Sequence, residues 1–427
     1  MMVSLQYGAD TMSARLPWAK SLGVLDAAER AALPDVPNVL KHALEHPLGM
    51  DGALRRRFQP NDTVVIAVSD ASRNTGMEQV LPFLADWLLD CGISEESVSF
   101  IVATGAHRAA TEEEKSRILG IGLYRRFQSR IFNHDARDDA NLVRVGATRR
   151  GTEVTLNKRA LECDHLILTG AVAPHYFAGF SGGRKALVPG LAGVETIAAN
   201  HARSLDATEA RLDPRVRICE MDGNPVAEDL LDAARLHPLA FIVNTVLDRN
   251  GRIAGLFVGE LDIAHRHACA LAGAVYTARI AQRADLVIAA MRAAPNFIQC
   301  HKALFNAYNA LKPGGRIILL APMREGLGGE RFREYLDTGD PNVVAAALRR
   351  RPDINGQTVL STLEKAPQSI LVTELSESDV QLLRARKAAA LDDALRWARD
   401  YFAACGVNEP TCYLMPNAGG VVPIVLS

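Results

Sequence analysis

The chain has 427 residues, of which 48% are hydrophobic and 23% charged, and its formal net charge is −1. This length predicts two domains of roughly 150 to 270 residues, and the composition is that of a folded enzyme rather than of a disordered or fibrous protein. The near-neutral charge, with no run of five like charges, argues against nucleic acid or an anionic membrane as a partner. Small-molecule chemistry becomes the default expectation.

Two features indicate a cytoplasmic protein. The seven cysteines include no C-x-x-C pair and their number is odd, which fits reduced thiols better than a disulfide scaffold. The first 30 residues lack a continuous apolar segment, and no window of 18 apolar residues occurs. We therefore predict a cytoplasmic location, with no signal peptide and no membrane-spanning helix.

Three short apolar runs in the first half of the chain each lead into a polar loop. Residues 62–68, 98–102 and 165–169 have the composition of buried strands, and a helical pattern over 77–90 separates the first two. Thr111, followed by three glutamates, predicts a capped helix start. Parallel strands bring the loops at their carboxyl ends to one edge of a sheet, so these three loops are expected to converge there.

The alternation of strands and helices restarts near residue 284. We predict a strand over 285–290, a helix over 299–311, a turn over 312–315 and a strand over 316–320. The predicted fold is therefore α/β, with two Rossmann-like domains over 1–275 and 284–404 and the active site in the cleft between them. The tail 405–427 could pack on either domain.

The segment 174–190, followed by Asn200 and His201, is unusually rich in groups that carry chemistry. Ser181, Gly182 and Gly183 could turn backbone N–H groups onto an anion, although a plain tight turn explains them as well. The spacing matches neither a P-loop nor the dinucleotide fingerprint. After Arg184, Lys185 could pair with phosphate or tether a cofactor through its amine, or it could be an ordinary surface lysine.

Three histidines are candidates for catalysis or metal binding. His107 and His175 each follow a strand, which suits a general acid and base acting on opposite faces of one carbon, although either could be structural. His201 forms no multi-histidine zinc pattern with the others. A single imidazole could complete a square-planar Ni(II) or Cu(II) ion whose other ligands come from a cofactor, or it could cap a neighbouring group.

Two further pairs could bind a carboxylate. Asp70 and Arg73 share a loop in which the guanidinium could hold a substrate carboxylate while the aspartate orients it or bonds a histidine; the alternative is a surface ion pair. Gln299 and Lys302 are three apart and share a helix face, so they could reach across an interdomain cleft or simply be solvated.

Together these residues resemble the nickel-dependent lactate racemase family, whose members racemise or epimerise 2-hydroxy acids. The resemblance covers the amino-terminal domain and lies in Tyr7-Gly8, residues 69–73, residues 103–108, the segment 175–190 and Asn200-His201. It implies proton-coupled hydride transfer through a 2-oxo acid. It also implies a nickel pincer cofactor, pyridinium-3-thioamide-5-thiocarboxylate mononucleotide, made and inserted by partner proteins.

The resemblance assigns a role to each candidate residue. Lys185 would carry the cofactor covalently, within a binding segment that includes Ser181, Gly182, Gly183 and Arg184. His201 would be the nickel ligand, and His107 and His175 would be the acid and base. Arg73 and Lys302 would lie near the substrate carboxylate, with Asp70 and Gln299 as supporting residues.

The loop 293–302 departs from the family pattern, because its spacer is shorter and Ile298 stands where the family has an aromatic residue. We therefore favour a 2-hydroxy acid other than lactate as the substrate. Two alternatives stay open: a nicotinamide-dependent hydroxy-acid dehydrogenase, against which the missing G-x-G-x-x-G argues, and a family member that has lost turnover and acts as a binding protein.

Overall fold

The structure is a computed structural model that describes residues 1–237 and 240–426. Its strands are β1 (Met2–Tyr7), β2 (Asp10–Arg15), β3 (Lys20–Val24), β4 (Val64–Ser69), β5 (Val98–Ala103), β6 (Ile131–Asn133), β7 (Leu142–Ala147), β8 (Glu153–Asn157), β9 (His165–Ala171), β10 (Pro174–His175), β11 (Gly179–Phe180), β12 (Ala240–Leu247), β13 (Ile253–Gly259), β14 (Thr277–Ile280), β15 (Ala284–Ala290), β16 (Leu311–Leu320), β17 (Ser369–Val372), β18 (Arg386–Ala388), β19 (Thr411–Met415) and β20 (Val422–Val425).

The helices are α1 (Val36–Glu45), α2 (Leu81–Asp90), α3 (Glu112–Leu119), α4 (Ile121–Phe127), α5 (Lys158–Leu161), α6 (Val194–Ala202), α7 (Pro225–Ala234), α8 (Ile263–Tyr276), α9 (Phe297–Asn309), α10 (Glu330–Asp337), α11 (Pro341–Arg350), α12 (Ile354–Lys365), α13 (Glu377–Leu382) and α14 (Leu391–Ala404). No helix in the described part of the chain is long and apolar enough to cross a membrane.

The chain divides into two compact units. The amino unit comprises Glu29–Ser204 and Arg215–Val275, and the carboxyl unit comprises Met1–Ala28, Leu205–Pro214 and Tyr276–Ser427. Each contains a six-stranded, mainly parallel sheet, so the predicted α/β class is confirmed.

The sheet of the amino unit has the strand order β13-β12-β9-β4-β5-β6. Its pairs are parallel except for β12 with β13, which is antiparallel. Every residue of β4 except the last is buried, as expected for a central parallel strand that is covered on both faces. The predicted strands over 62–68, 98–102 and 165–169 correspond to β4, β5 and β9.

The sheet of the carboxyl unit is parallel throughout, in the order β18-β17-β16-β15-β19-β3. Alternate residues of its strands face two separate cores: Val287 and Ile317 lie in one, Leu286 and Ile318 in the other. Because β3 pairs with β19, residues 1–28 and the tail that begins at residue 405 both belong to this unit. The predicted boundaries had placed the first residues in the amino-terminal domain.

Two local predictions have different outcomes. Thr111 does form a capping box with Glu114, whose carboxylate accepts from the backbone N–H of Thr111 while the Thr111 hydroxyl accepts from that of Glu114. The turn predicted over 312–315 lies instead within β16. The pairing with β15 jumps from Leu311 to Arg316, so the four intervening residues bulge out of the ladder, and Gly314 takes a positive φ of 77°.

Candidate active site

The carboxyl ends of β4, β5 and β9 lie at one edge of the sheet in the amino unit. These strands are adjacent and parallel, with β4 between the other two. The segments that follow them carry the candidate residues: Asp70 and Arg73 after β4, His107 after β5, and His175, in the short strand β10, after β9. The topology thus produces the convergence of loops that the sequence predicted.

Asp70 and His107 form a close pair across two of these loops. Nδ1 of His107 lies 2.6 Å from Oδ2 of Asp70, and both the backbone N–H and the hydroxyl of Ser72 donate to Oδ1 of Asp70. Burial alone would raise the pKa of Asp70, but these hydrogen bonds from His107 and Ser72 outweigh it and lower the pKa. A carboxylate at Nδ1 holds the proton of the neutral ring there and leaves Nε2 as a proton acceptor.

Arg73 lies in the same loop with an exposed side chain, and it forms no ion pair with any described residue. Its backbone N–H donates to the carbonyl of Asp70 at 3.1 Å. The geometry therefore shows the carboxylate of Asp70 bonded to a histidine. A surface ion pair between Asp70 and Arg73 is not formed.

His175 is held by the turn that follows it. The backbone N–H groups of Phe177 and Ala178 both donate to its Nδ1 at 3.2 Å, and its ring stacks on Tyr176 with centroids 5.1 Å apart. Because Nδ1 accepts these bonds, the neutral ring carries its proton on Nε2. The two neutral rings thus differ at Nε2: in His107 this atom is a proton acceptor, and in His175 it is a donor.

The glycine-rich loop, residues 181–183, is packed more tightly than a loop whose backbone N–H groups bind an anion would be. The backbone N–H groups of Ser181 and Gly183 donate to Ala173 and to the Asn244 amide oxygen, respectively. Gly182 and Gly183 have φ values of 71° and 53°, and a Cβ on either would lie 2.6 Å from a neighbouring side chain. The glycines are thus required by close packing, and these two N–H groups are not available to the anion that the sequence suggested.

Arg184 is a buried cation at the end of this loop. Its side chain is only 2% exposed, and Nη1 donates to Nδ1 of His265 at 3.1 Å, while Nε2 of His265 donates to the carbonyl of Ser181 at 2.8 Å. The Nε of Arg184 has no hydrogen-bond partner among the described residues. Burial lowers the pKa of this guanidinium. A buried donor of this kind, with no carboxylate bonded to it, fits an anionic ligand.

His201 is a buried imidazole with one ring nitrogen hydrogen-bonded to the backbone. It lies on α6, is 8% exposed, and its Nδ1 donates to the carbonyl of Ile197 at 2.7 Å, which leaves the lone pair of Nε2 available. Burial lowers the pKa of His201 to about 4, and the positive charge of Lys185 acts in the same direction. The imidazole is therefore neutral near pH 7, as metal binding requires, and Lys185 is near enough to influence it.

A buried carboxylate anchors the residue before His201. Asp229, on α7, accepts hydrogen bonds from Thr148, Thr152 and the Asn200 amide at 2.6, 2.9 and 2.9 Å. It is fully buried. These bonds fix the position of α6 relative to α7 and to the hairpin of β7 and β8, and hence the position of His201.

Gln299 and Lys302 lie on α9 in the carboxyl unit. The backbone N–H of Gln299 donates to the side chain of Asn296, which caps the helix, and the Gln299 side chain is exposed while that of Lys302 is half-buried. They share the first turns of one helix, as predicted. Their part in substrate binding stays a prediction.

Three supporting residues were not predicted from the sequence: Asp229, Asn244 and His265. Each supports a predicted site residue from 29 to 81 positions away in the chain. Asp229 and His265 fall within ordinary helices, and Asn244 falls within a buried strand. A polar residue in the middle of an apolar strand, as at Asn244, is the one local signal that could have been followed.

Known proteins resemble this chain in sequence over most of its length. The family model described as lactate racemase N-terminal domain matches residues 7–213. A lactate racemase of Lactiplantibacillus plantarum is 30% identical over 94% of this chain and 96% of its own length. Another, from Thermoanaerobacterium thermosaccharolyticum, is 33% identical over 82% of this chain and 81% of its own. The chain belongs to the lactate racemase family.

Solved structures agree with this assignment. The lactate racemase apoprotein from Thermoanaerobacterium thermosaccharolyticum aligns over the whole of both chains, with a TM-score of 0.88 and 28% identity. A protein from Thermotoga maritima has the same fold, with a TM-score of 0.68 and 18% identity over 93% of this chain and all of its own. The predicted family, and with it an isomerase of the racemase class, is confirmed.

Proposed function

We propose that this chain racemises or epimerises 2-hydroxy acids by hydride transfer, with a nickel pincer cofactor tethered to Lys185. The observation that carries the proposal is the state of His201, a buried neutral imidazole with its Nε2 lone pair available and Lys185 close by. The lactate racemases among its relatives support racemisation as the reaction class of this site. They also favour it over a dehydrogenase or an inactive binding protein.

The residues of the amino unit fit the cofactor. His201 would bind the nickel ion, and the amine of Lys185 would form the covalent link. The buried guanidinium of Arg184, with its unpartnered Nε, would face the phosphate of a mononucleotide. Ser181, Gly182 and Gly183 would shape the loop that holds Lys185 in place. When bound, the cofactor would supply an acceptor for the hydride on the α-carbon of the substrate.

Hydride transfer suits this reaction because the α-hydrogen of a 2-hydroxy acid is a very weak acid. The proton that must move is the one on the hydroxyl group, and His107 is prepared to take it through Nε2. Asp70 bonds Nδ1 of that ring at 2.6 Å, so it orients the imidazole and stabilises the imidazolium that forms. The product of this half of the reaction is a 2-oxo acid.

His175 would serve the opposite face of the substrate. Because Nδ1 accepts from two backbone N–H groups, the neutral ring carries its proton on Nε2, the atom through which His175 would act on a substrate oxygen. A fully protonated ring would carry a second proton on Nδ1, and the two backbone N–H groups that now donate to that atom would have to release it. We therefore expect the turn over 176–178 to shift during each turnover. Arg73, in the amino unit, would bind the substrate carboxylate.

The proposal is tested with protein produced together with cofactor-making enzymes. Single enantiomers of a panel of 2-hydroxy acids, labelled with deuterium at the α-carbon, are incubated with the protein and analysed by chiral chromatography and mass spectrometry. Inversion with the deuterium retained is the expected result, and Lys185→Ala and His201→Ala should abolish it. Washout of the label into water, or no inversion of any panel member by protein shown to carry nickel, would overturn the proposal.

A further inference from the structure

Two histidines lie next to each other at the carboxyl end of α1, in the amino unit: His42 is within the helix and His46 directly follows it as the C-cap. His42 and His46 are four residues apart, both are exposed, and their ring centroids are 4.7 Å apart with an interplanar angle of 52°. The opposite face of this helix is fixed to the core by Leu40 and Leu44, each 1% exposed. The two rings are thus presented together to solvent by an anchored helix.

The local geometry around the pair is well determined by hydrogen bonds. Asp35 caps the start of α1 by accepting from the backbone N–H of Asn38 at 3.1 Å. At the other end the backbone N–H of His46, the C-cap residue, donates to the carbonyl of His42 at 3.0 Å, and the backbone of His46 itself is no longer helical, with φ −129° and ψ 62°. The centroids of the two rings are nevertheless only 4.7 Å apart, so one ion can be reached from both rings.

Paired imidazoles select late first-row divalent metal ions. Imidazole nitrogen suits Ni²⁺, Cu²⁺ and Zn²⁺, whereas Mg²⁺ and Ca²⁺ prefer oxygen ligands. No group of three or more His, Cys, Asp or Glu residues within 1–237 and 240–426 is arranged to hold a metal ion. With two protein ligands, solvent must fill the remaining coordination positions, so an ion bound here would exchange readily.

We propose that His42 and His46 form a second, exchangeable binding site for Ni²⁺ or Cu²⁺, distinct from the site at His201. The site is bidentate, and it is lost on acidification because a protonated imidazole cannot bind a metal ion. It does not depend on the proposed reaction, since neither residue belongs to the predicted catalytic or cofactor-binding set. It would give the chain a surface position where a late transition-metal ion can be held and released.

The experiment uses untagged full-length protein in a buffer that does not bind metals. Calorimetric titration with NiCl₂ and with CuCl₂ is carried out on the His201→Ala variant, so that the predicted resident ligand does not contribute. One ion per chain should bind, with Cu²⁺ tighter than Ni²⁺ and no binding of Mg²⁺. Either His42→Ala or His46→Ala in that background should weaken binding by at least about tenfold, because each removes one of two ligands.

Two matched controls test whether metal binding depends on the placement of His42 and His46 rather than on the number of histidines in the chain. Exchanging neighbours in the variant Lys41→His/His42→Lys keeps the composition but moves the first imidazole about 100° around α1, away from His46, and should weaken binding as much as losing one histidine. His267→Ala removes a single exposed histidine and should leave binding unchanged. Circular dichroism confirms folding, which these exposed changes should not disturb.

Electron paramagnetic resonance of bound Cu²⁺ gives a readout of the ligands themselves. In the same His201→Ala background, called the parent here, coupling to two imidazole nitrogens is expected, and coupling to one after His46→Ala is added. The proposal is overturned if the exchanged variant or His42→Ala binds as the parent does, or if the parent binds neither ion. None of these results bears on catalysis by the loaded enzyme, so failure here leaves the proposed racemase function untouched.

Discussion

Replacing His265 with glutamine should make the free energy of unfolding less sensitive to acid. His265 is 1% exposed, and both ring nitrogens are committed: Nε2 donates to the carbonyl of Ser181, and Nδ1 accepts from the buried guanidinium of Arg184. A second proton on the ring, at Nδ1, would face the N–H of the Arg184 guanidinium. It would also place a positive charge beside the positive charge of Arg184. The native state therefore keeps this ring neutral.

The size of the effect follows from linkage. Burial, with a smaller contribution from the charge of Arg184, lowers the pKa of His265 from 6.5 to about 3. Because the native pKa is the lower one, the unfolded chain binds the proton first, so stability is complete above pH 6.5 and falls as the pH drops toward 3. Between pH 7 and pH 5 the loss that His265 contributes is about 2 kcal/mol.

Urea unfolding at pH 7 and at pH 5, followed by circular dichroism, measures the loss directly. His265→Gln should be less stable than the parent at pH 7, because Arg184 loses an acceptor, but its loss between pH 7 and pH 5 should be smaller by about 2 kcal/mol. His267→Gln, an exposed change on the same helix, should leave the loss as in the parent. If His265→Gln loses as much stability on acidification as the parent, His265 is not a buried neutral group.

Three more changes test the packing and the pairs of the site. Gly179→Ala should lower stability by about 2 kcal/mol or more in thermal unfolding, because φ is 73° and a Cβ would lie 2.2 Å from the carbonyl oxygen of Glu220. Asp229→Ala should reduce the free energy of unfolding in urea by about 3 kcal/mol or more, since three buried donors lose their acceptor. Asp70→Asn should reduce kcat for racemisation roughly 100-fold with little change in KM, since the partner that orients His107 is altered; an unchanged kcat would remove Asp70 from the mechanism.

Much of the fold was accessible from the sequence because its signals are local. The apolar run before Asp70 reads as a buried parallel strand, and β4 is such a strand. The pattern of Thr111 and Glu114 reads as a capping box, and it forms one. Once the strands are parallel, the convergence of their loops follows from topology, so that the grouping of Asp70 and His107 required no long-range information.

What the sequence could not provide depends on contacts between distant segments. The pairing of β3 with β19 joins the first residues to the last, and no pattern within either strand specifies that partner. The bulge over 312–315 looks like a turn because its glycines allow positive φ, but whether the ladder closes around it is decided by the neighbouring strand. Asp229 carries no signal at all, since its partners come from two other elements.

The glycine-rich loop illustrates why the same residues admitted two interpretations. Glycines suit a loop whose backbone N–H groups bind an anion and a loop that packs closely against its neighbours equally well, because both need backbone without a Cβ. In the folded chain the two N–H groups at 181 and 183 are used internally, and the feature left to attract an anion is the buried guanidinium of Arg184. A buried cation without a bonded carboxylate is unfavourable for stability, and this is why Arg184, next to Lys185, is the group that we propose for the phosphate of the cofactor.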